Sequence, residues 1–238
     1  MISEWRSYAI EDFIPFTADV YLRLIERVNS GQWPLQLPML IVGLAVIVLL
    51  GRKRKLSAGA LLAAAWVWVG TAFLIQRYAQ LTWVADYWGW AFCAQAIVLC
   101  AFAFGSKSDF RFRKPFPISD CLGLAIALYG LVAYPLLTAF AGSGWAQSES
   151  FGIHPDPTAI ATLGILILFS RGWQLWIQSL IPLSWCVFSA LTLSVLETSG
   201  FYILVSGIAL FLVSMVWVSV SPFFERAQAQ SELDSQGL

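Results

Sequence analysis

Residues 151–158 read Phe-Gly-Ile-His-Pro-Asp-Pro-Thr and stand directly before an apolar run. The stretch combines the only histidine of the chain, His154, with an acid, a glycine and two prolines. Aspartate is a preferred N-cap, and proline is favoured at the first position of a helix. The pattern therefore predicts that Asp156 caps a helix and that Pro157 begins it, whereas Pro155 disfavours helix at His154.

The length of this helix is its unusual feature. Apolar or small residues run only from Pro157 to Phe169 before Ser170 and Arg171 follow. At about 1.5 Å per residue the helix reaches roughly 20 Å, whereas the hydrocarbon core of a bilayer measures roughly 30 Å. Either the helix continues past Arg171, whose long side chain then reaches the membrane surface, or residues 151–156 fold inward. The second alternative would place His154 in a ligand-sized recess.

The composition of the whole chain is typical of a membrane protein. Of its 238 residues 59% are hydrophobic and only 12% are charged, and the mean hydropathy is +0.73. A water-soluble protein of this size needs more polar surface than that. The formal net charge is zero and the basic residues lie in two short clusters. We therefore expect the lipid bilayer as a partner and do not expect nucleic acid.

The apolar runs predict an all-α, polytopic bundle of about seven transmembrane helices. The expected spans are residues 35–50, 58–75, 88–104, 118–141, a short helix from residue 157, 173–196 and 200–220. We expect three parts: an N-terminal interfacial segment (1–34), a seven-helix transmembrane domain (35–221) and a disordered cytoplasmic tail (222–238).

The N-terminal segment contains an amphipathic helix. Its apolar residues Tyr21, Leu24, Ile25 and Val28 recur at helical spacing, and charged residues take the opposite face. Such a helix lies in the membrane interface or packs on the loops of its own protein. The sequence leaves these two alternatives open.

The distribution of lysine and arginine predicts the orientation of the bundle. If seven spans alternate, one side carries ten basic and five acidic side chains, a formal charge of +5. The other side carries four basic and nine acidic side chains, a formal charge of −5. Because basic residues are enriched in cytoplasmic loops, the N-terminus is expected outside and the C-terminus in the cytoplasm.

Polar residues gather near the predicted outer ends of the spans. Charges at membrane depth usually pair with one another or line an aqueous cavity. One hypothesis is therefore an outward-facing recess that binds or transports a small solute, and the alternative is that each residue marks a solvated loop end. The candidate binding residues are Arg77, Asp86, His154, Asp156 and Glu197.

Several activities lack the residues that they need. A single histidine cannot supply a bis-histidine haem site, and the last span has no lysine for a retinal Schiff base. Cys93 and Cys100 share a face of the third span, which suits either a soft-metal path or packing. We therefore expect no enzyme, no cofactor and no metal site. Polar side chains within the spans are expected to form interhelical hydrogen bonds, and they are Gln95, Gln178, Ser184, Ser189, Thr192, Tyr129 and Tyr134.

Three short motifs carry a resemblance to a known family. They are residues 151–158 followed by Thr-Leu-Gly at 162–164, Gln-Arg-Tyr at 76–78, and Ile-Pro-Leu-Ser-Trp-Cys at 181–186. With them the chain resembles, over nearly its whole length, a family of bacterial multi-pass inner-membrane proteins catalogued only as a domain of unknown function. The shared Pro-x-Pro-Thr helix start is matched by Pro155, Pro157 and Thr158. Some members carry cysteine where this chain has Asp156, and this difference argues against a thiol or metal role here.

The resemblance implies a bacterial inner-membrane location and brings no activity with it. Two functional hypotheses follow from the residues. The first is binding or transport of a small solute through the outward-facing recess. The second is a non-catalytic scaffold or accessory subunit that contacts other subunits of a membrane complex.

Overall fold

A computed structural model of the chain describes residues 14–105 and 117–235, and its regular structure is helical throughout these residues. The helices are α1 Ala18–Gln32, α2 Gln36–Gly51, α3 Lys55–Trp68, α4 Val84–Gly105, α5 Ile118–Leu128, α6 Tyr134–Thr138, α7 Pro155–Phe169, α8 Trp173–Val195 and α9 Gly200–Ser235. A π-helical segment extends α3, a second joins α5 to α6 and a third follows α6; these are Val69–Ile75, Tyr129–Ala133 and Ala139–Ser143.

The predicted all-α membrane bundle is confirmed, with a correction to the lengths of its spans. The described residues contain five helices that are long and apolar enough to cross a membrane, namely Lys55–Gln80, Val84–Phe104, Ile118–Ala141, Trp173–Val195 and Gly200–Val220. The helices α1 and α2 meet at a bend of 88° and give a sixth candidate span when taken together. The seventh expected helix, α7, has only 15 residues. All seven apolar helices therefore exist, but α2 and α7 are short.

The amphipathic helix α1 packs on the protein itself. Its apolar residues Tyr21, Ile25 and Val28 are buried. The side-chain amide of Asn29 donates to the backbone carbonyls of Ala146 and Ser148, both at 2.9 Å. The alternative in which α1 packs on a loop of its own protein is thus confirmed, and its depth relative to the lipid head groups stays a prediction.

The short helix α7 is the centre of the bundle, because every one of its residues is buried. It packs against α5 on one side and against α8 and α9 on others. The contact with α5 depends on glycine: a Cβ atom on Gly164 would lie 2.7 Å from the carbonyl oxygen of Gly123 and would overlap the backbone of Ala127. Small residues allow two helices in a membrane to approach this closely.

The end of α7 decides between the two alternatives for its length. The helix ends at Phe169, and Ser170 is extended with φ −112° and ψ 149°. The guanidinium of Arg171 lies 3.1 Å from Asp120 and also donates to the carbonyl oxygens of Ile167 and Ser170. Continuation past Arg171 is therefore wrong, because this side chain binds the last carbonyls of α7 and the start of α5.

The start of α7 also differs from the prediction. His154 is the N-cap, with φ −109° and ψ 148°, and Pro155 opens the helix, so a cap by Asp156 is wrong. The hydroxyl of Thr158 accepts from the backbone N–H of Gly152 at 2.8 Å and donates to the carbonyl of His154 at 2.6 Å. Thr158 thus pairs with two backbone groups of the preceding loop. The Asp156 carboxylate is not needed for this and can contact other helices.

The last helix is longer than expected. The backbone of α9 continues to Ser235, whereas disorder was predicted from residue 222. The segment from 222 to 235 is rich in alanine, glutamine and glutamate, which have high helix propensity. It continues a helix that has already formed, so it needs no new nucleation. The cytoplasmic location of this segment stays a prediction.

Candidate functional site

Asp156, at the N-terminal end of α7, is fully buried and accepts three hydrogen bonds. Its Oδ1 accepts from the indole N–H of Trp185 at 2.7 Å. Its Oδ2 accepts from the hydroxyls of Ser189 at 2.7 Å and Tyr134 at 3.2 Å. The donors come from α6 and α8, so tertiary packing forms this site. Three neutral donors stabilise a negative charge on this carboxylate.

Glu149 is a second buried acid, and it lies in the loop that precedes α7. Its side chain is 5% exposed, and its Oε1 accepts from the Tyr21 hydroxyl at 2.9 Å. Its Oε2 has no hydrogen-bond partner among the described residues. Burial raises the pKa of Glu149 well above its usual value of 4.5, the charge of Asp156 raises it further, and the bond from Tyr21 lowers it. Glu149 therefore favours its protonated form.

His154 completes the cluster as a neutral group. The backbone N–H of Ser150 donates to Nδ1 at 3.1 Å, so the ring proton lies on Nε2. Nε2 has no partner among the described residues, and the ring meets Phe73 edge-on at a centroid distance of 5.2 Å. Burial lowers the pKa of His154 from 6.5 to about 3. His154 is therefore neutral at neutral pH and cannot balance the charge of Asp156.

Within residues 14–105 and 117–235 no ion pair joins either acid to a basic side chain. The pair between Arg171 and Asp120 lies beyond the opposite end of α7. A crevice of about 20 Å³ reaches Glu149 and is lined in part by Tyr21, Gln147 and the exposed Ser199. This volume is enough for one water molecule.

The structure brings together two of the five predicted site residues, His154 and Asp156. Arg77 is partly exposed after α3, Asp86 is exposed in the first turn of α4, and Glu197 is exposed after α8. Among the described residues these three side chains form no hydrogen bond or ion pair. Binding of a solute by any of the five stays a prediction.

Sequence reasoning missed Glu149, although it lies only a few residues before His154. It stands between two serines in a loop and resembles a solvated acid. Its partner Tyr21 is 128 residues away in sequence. A signal for the contact was the place of Tyr21 on the apolar face of α1, because a buried tyrosine hydroxyl needs a hydrogen-bond partner.

A second polar cluster surrounds the C-terminal end of α7. The Gln95 amide donates to the carbonyl of Gln178 at 2.8 Å, and the Gln178 amide donates to the Ser170 hydroxyl at 2.8 Å. Both amide oxygens, and the hydroxyl of Ser179, have no partner among the described residues. Midway along α7 the indole of Trp66 donates to Thr162 at 2.8 Å. Polar groups thus accompany α7 along its length. The predicted hydrogen bonds between helices are confirmed for Gln95, Tyr129, Tyr134 and Ser189.

Comparison with known proteins gives a family but no activity. No curated protein and no solved structure matches the chain. A family described as a family of unknown function (DUF6064) matches residues 18–226, from α1 into α9. The predicted resemblance to an uncharacterised family is confirmed. The Pro-x-Pro-Thr start of α7 lies within the matched region, and the chain belongs to DUF6064, a family of unknown function.

Proposed function

We propose that this protein is a proton-coupled membrane transport protein for a small solute, in which Glu149 exchanges the proton and Asp156 provides a fixed negative charge. One observation carries the proposal: Oε2 of the buried Glu149 has no partner among the described residues, while Asp156 has three donors. Two nearby acids in different environments suit one to hold a charge and the other to bind a proton. Ionisable groups inside membrane proteins commonly form proton relays.

The geometry of α7 supports transport in particular. Many transporters bind their substrates at interrupted or short helices near the middle of the membrane, where non-helical backbone is enclosed by protein. The buried helix α7 has this form, with an enclosed loop at one end and the Gln95–Gln178 cluster at the other. The crevice at Glu149 admits water only, so entry of a solute requires α1 to move away from the loop that it covers.

A carboxyl titration tests the proton site. The infrared band of a protonated carboxylic acid should disappear from purified wild-type protein as the pH rises, and Glu149→Gln should lack this transition. Asp156→Asn should move it to lower pH, because the charge of Asp156 raises the pKa of Glu149. Glu197→Gln, which changes an exposed acid, is the matched control and should behave as wild type. A wild-type titration in Glu149→Gln would refute the proposal.

Transport is tested in proteoliposomes with an imposed pH gradient and a panel of small cationic, anionic and neutral solutes. Wild-type protein and Glu197→Gln should accumulate one class of solute. The rate of gradient-driven uptake by Glu149→Gln should be at least about tenfold lower, and a tenfold change in rate corresponds to about 1.4 kcal/mol. Equal accumulation by Glu149→Gln would contradict proton coupling. Co-purification of a stoichiometric membrane complex, without any uptake, would support the accessory-subunit alternative instead.

A further inference from the structure

A groove separate from the proton site lies on the other face of the loop before α7. It has a volume of about 630 Å³ and lies between the α1–α2 bend, α6 with the segment before it, and residues 145–151. Successive loop residues point in different directions: Ser148 and Ser150 line the groove, whereas Glu149 contacts Tyr21 in the core. The volume is in the range of binding sites for small ligands.

The lining of the groove is apolar, with a few polar groups at one end. Its apolar residues include Leu40, Leu131 and Leu136, and none of the charged side chains that the structure describes lines it. The buried oxygens Oε1 of Gln36 and Oγ of Ser150 have no hydrogen-bond partner among the described residues. The nitrogen of the same Gln36 amide is engaged, since it donates to the backbone and side-chain oxygens of Asn29 at 3.1 and 3.2 Å. The free polar atom of Gln36 is therefore an acceptor.

The position of the groove suits a membrane amphiphile. Trp33 and Trp145 line it and are both exposed. Tryptophan is enriched at the level of the lipid head groups, where one part of the ring is apolar and another is hydrated. From Gln36 to Leu40 the helix α2 rises roughly 6 Å. The groove thus extends from the head-group level towards the hydrocarbon region.

We propose that this groove binds an uncharged lipid with a hydroxyl-bearing head group, of the acylglycerol class. Both oxygens are covered in this structure, so binding requires the side chains of Gln36 and Ser150 to turn toward the groove. A head-group hydroxyl then donates to Oε1 of Gln36, a second exchanges a hydrogen bond with Oγ of Ser150, and the acyl chain packs on Leu40, Leu131 and Leu136. A charged head would be desolvated without an opposite charge, and a chain without a head would leave both oxygens unpaired. This site goes beyond the proposed transport function, because different side chains form it.

Binding of radiolabelled monooleoylglycerol to the protein in phosphatidylcholine nanodiscs tests the proposal, since nanodiscs keep hydroxylated detergents out of the assay. Wild-type protein should bind the probe saturably. Unlabelled monooleoylglycerol should compete at least about tenfold better than oleate, oleylamine or octadecene, which carry an anionic, a cationic and no head group. Such a preference corresponds to about 1.4 kcal/mol. Equal competition by any of the three would refute the proposed head-group chemistry.

Two pairs of variants locate the site. Val132→Trp fills the groove and should abolish saturable binding, whereas Val213→Trp, on an exposed face of α9, should not. Ser150→Ala should weaken binding about fivefold, the effect of one hydrogen bond of about 1 kcal/mol. Ser57→Ala changes an exposed serine of α3 outside the groove and should leave binding unchanged. Retention of the Glu149 titration in Val132→Trp shows that this variant is folded and that the proton site is independent. Binding by Val132→Trp equal to that by Val213→Trp would overturn the assignment.

Discussion

At the residue scale, three titratable groups lie close together in one polar cluster and differ in what surrounds them. Asp156 has three hydrogen-bond donors, Glu149 has one, and His154 accepts a backbone bond on Nδ1. Burial favours the uncharged forms of Glu149 and His154. The two pKa shifts therefore give the stability of the folded protein opposite dependences on pH. A raised pKa of Glu149 means that stability decreases as the pH rises above 4.5, because only the folded state keeps the proton.

The lowered pKa of His154 predicts sensitivity to acid. Between pH 6.5 and about 3 the unfolded chain binds a proton on this residue that the folded protein excludes, so stability decreases as the pH falls through this window. His154→Phe should be less stable at pH 7 by about 1–3 kcal/mol, because the N–H of Ser150 loses its acceptor. It should nevertheless show a shallower loss of stability on acidification.

Thermal unfolding at a series of pH values between 7 and 4 measures this slope. Glu197→Gln serves as a control for general effects of charge, since its side chain is exposed. An identical slope in wild-type protein and His154→Phe would show that another group controls the acid response.

The residues of the cluster were predictable only in part. His154 and Asp156 could be chosen from the sequence, because a lone histidine and an acid next to prolines are locally conspicuous. The sequence predicts interhelical hydrogen bonds for Tyr134 and Ser189 but names no partner for them, and it does not single out Trp185 as a donor. Their contact with Asp156 depends on how α6 and α8 pack around α7, which no local pattern encodes.

At the element scale, α7 shows where local preference and tertiary contact compete. The sequence predicted its presence, its short length and its proline start. The helix starts at Pro155 rather than Pro157. Asp156 would be a good N-cap in isolation, but here its carboxylate accepts hydrogen bonds from side chains of other helices instead of from the backbone of α7. Likewise, the end at Phe169 depends on Asp120, which holds Arg171 from a distant part of the chain.

The contact between α5 and α7 gives a prediction about glycine. Gly164→Ala should lower the free energy of unfolding by about 1–3 kcal/mol, because the new Cβ overlaps the backbone of Ala127, which cannot rotate away. Gly31→Ala, in α1, is the matched control: its Cβ meets nothing within 4 Å, so stability should stay equal or increase by up to about 1 kcal/mol.

Equilibrium unfolding of both variants in a mixed detergent, followed by circular dichroism, provides the comparison. If Gly164→Ala and Gly31→Ala unfold at the same denaturant concentration, α5 and α7 do not require this close approach.

At the scale of the whole molecule, the contacts define which segments share an end of the bundle. Tyr21 and Glu149 join α1 to the loop before α7, and Asp120 and Arg171 join the start of α5 to the end of α7. Both pairings agree with the predicted alternation of spans. The sequence could not show that α1 and α2 meet at 88°, because this angle depends on how each helix packs on the rest of the bundle.

The orientation of the bundle follows from charge and is open to a direct test. Glu197 and Lys53 form a matched pair at opposite predicted ends, since both are exposed and both have positive φ, 51° and 61°. In a background without the four native cysteines, an impermeant maleimide should label Glu197→Cys on intact cells. It should label Lys53→Cys only after permeabilisation, because the basic side is expected in the cytoplasm. The reverse result would invert the topology.

The enclosure of α7 also has a consequence for biosynthesis. The ribosome makes α7 before α8, and α8 supplies Trp185 and Ser189 to Asp156. In a nascent chain that stops after α7, Asp156 therefore lacks two of its three hydrogen-bond donors. The side of α7 that α8 and α9 bury in the complete protein is still uncovered. The helix α1, made early, can contact its loop at Ala146 and Ser148 only after more than half of the chain has been synthesised. Assembly is thus completed late, and truncated chains present the bilayer with the same carboxylate that the finished protein encloses.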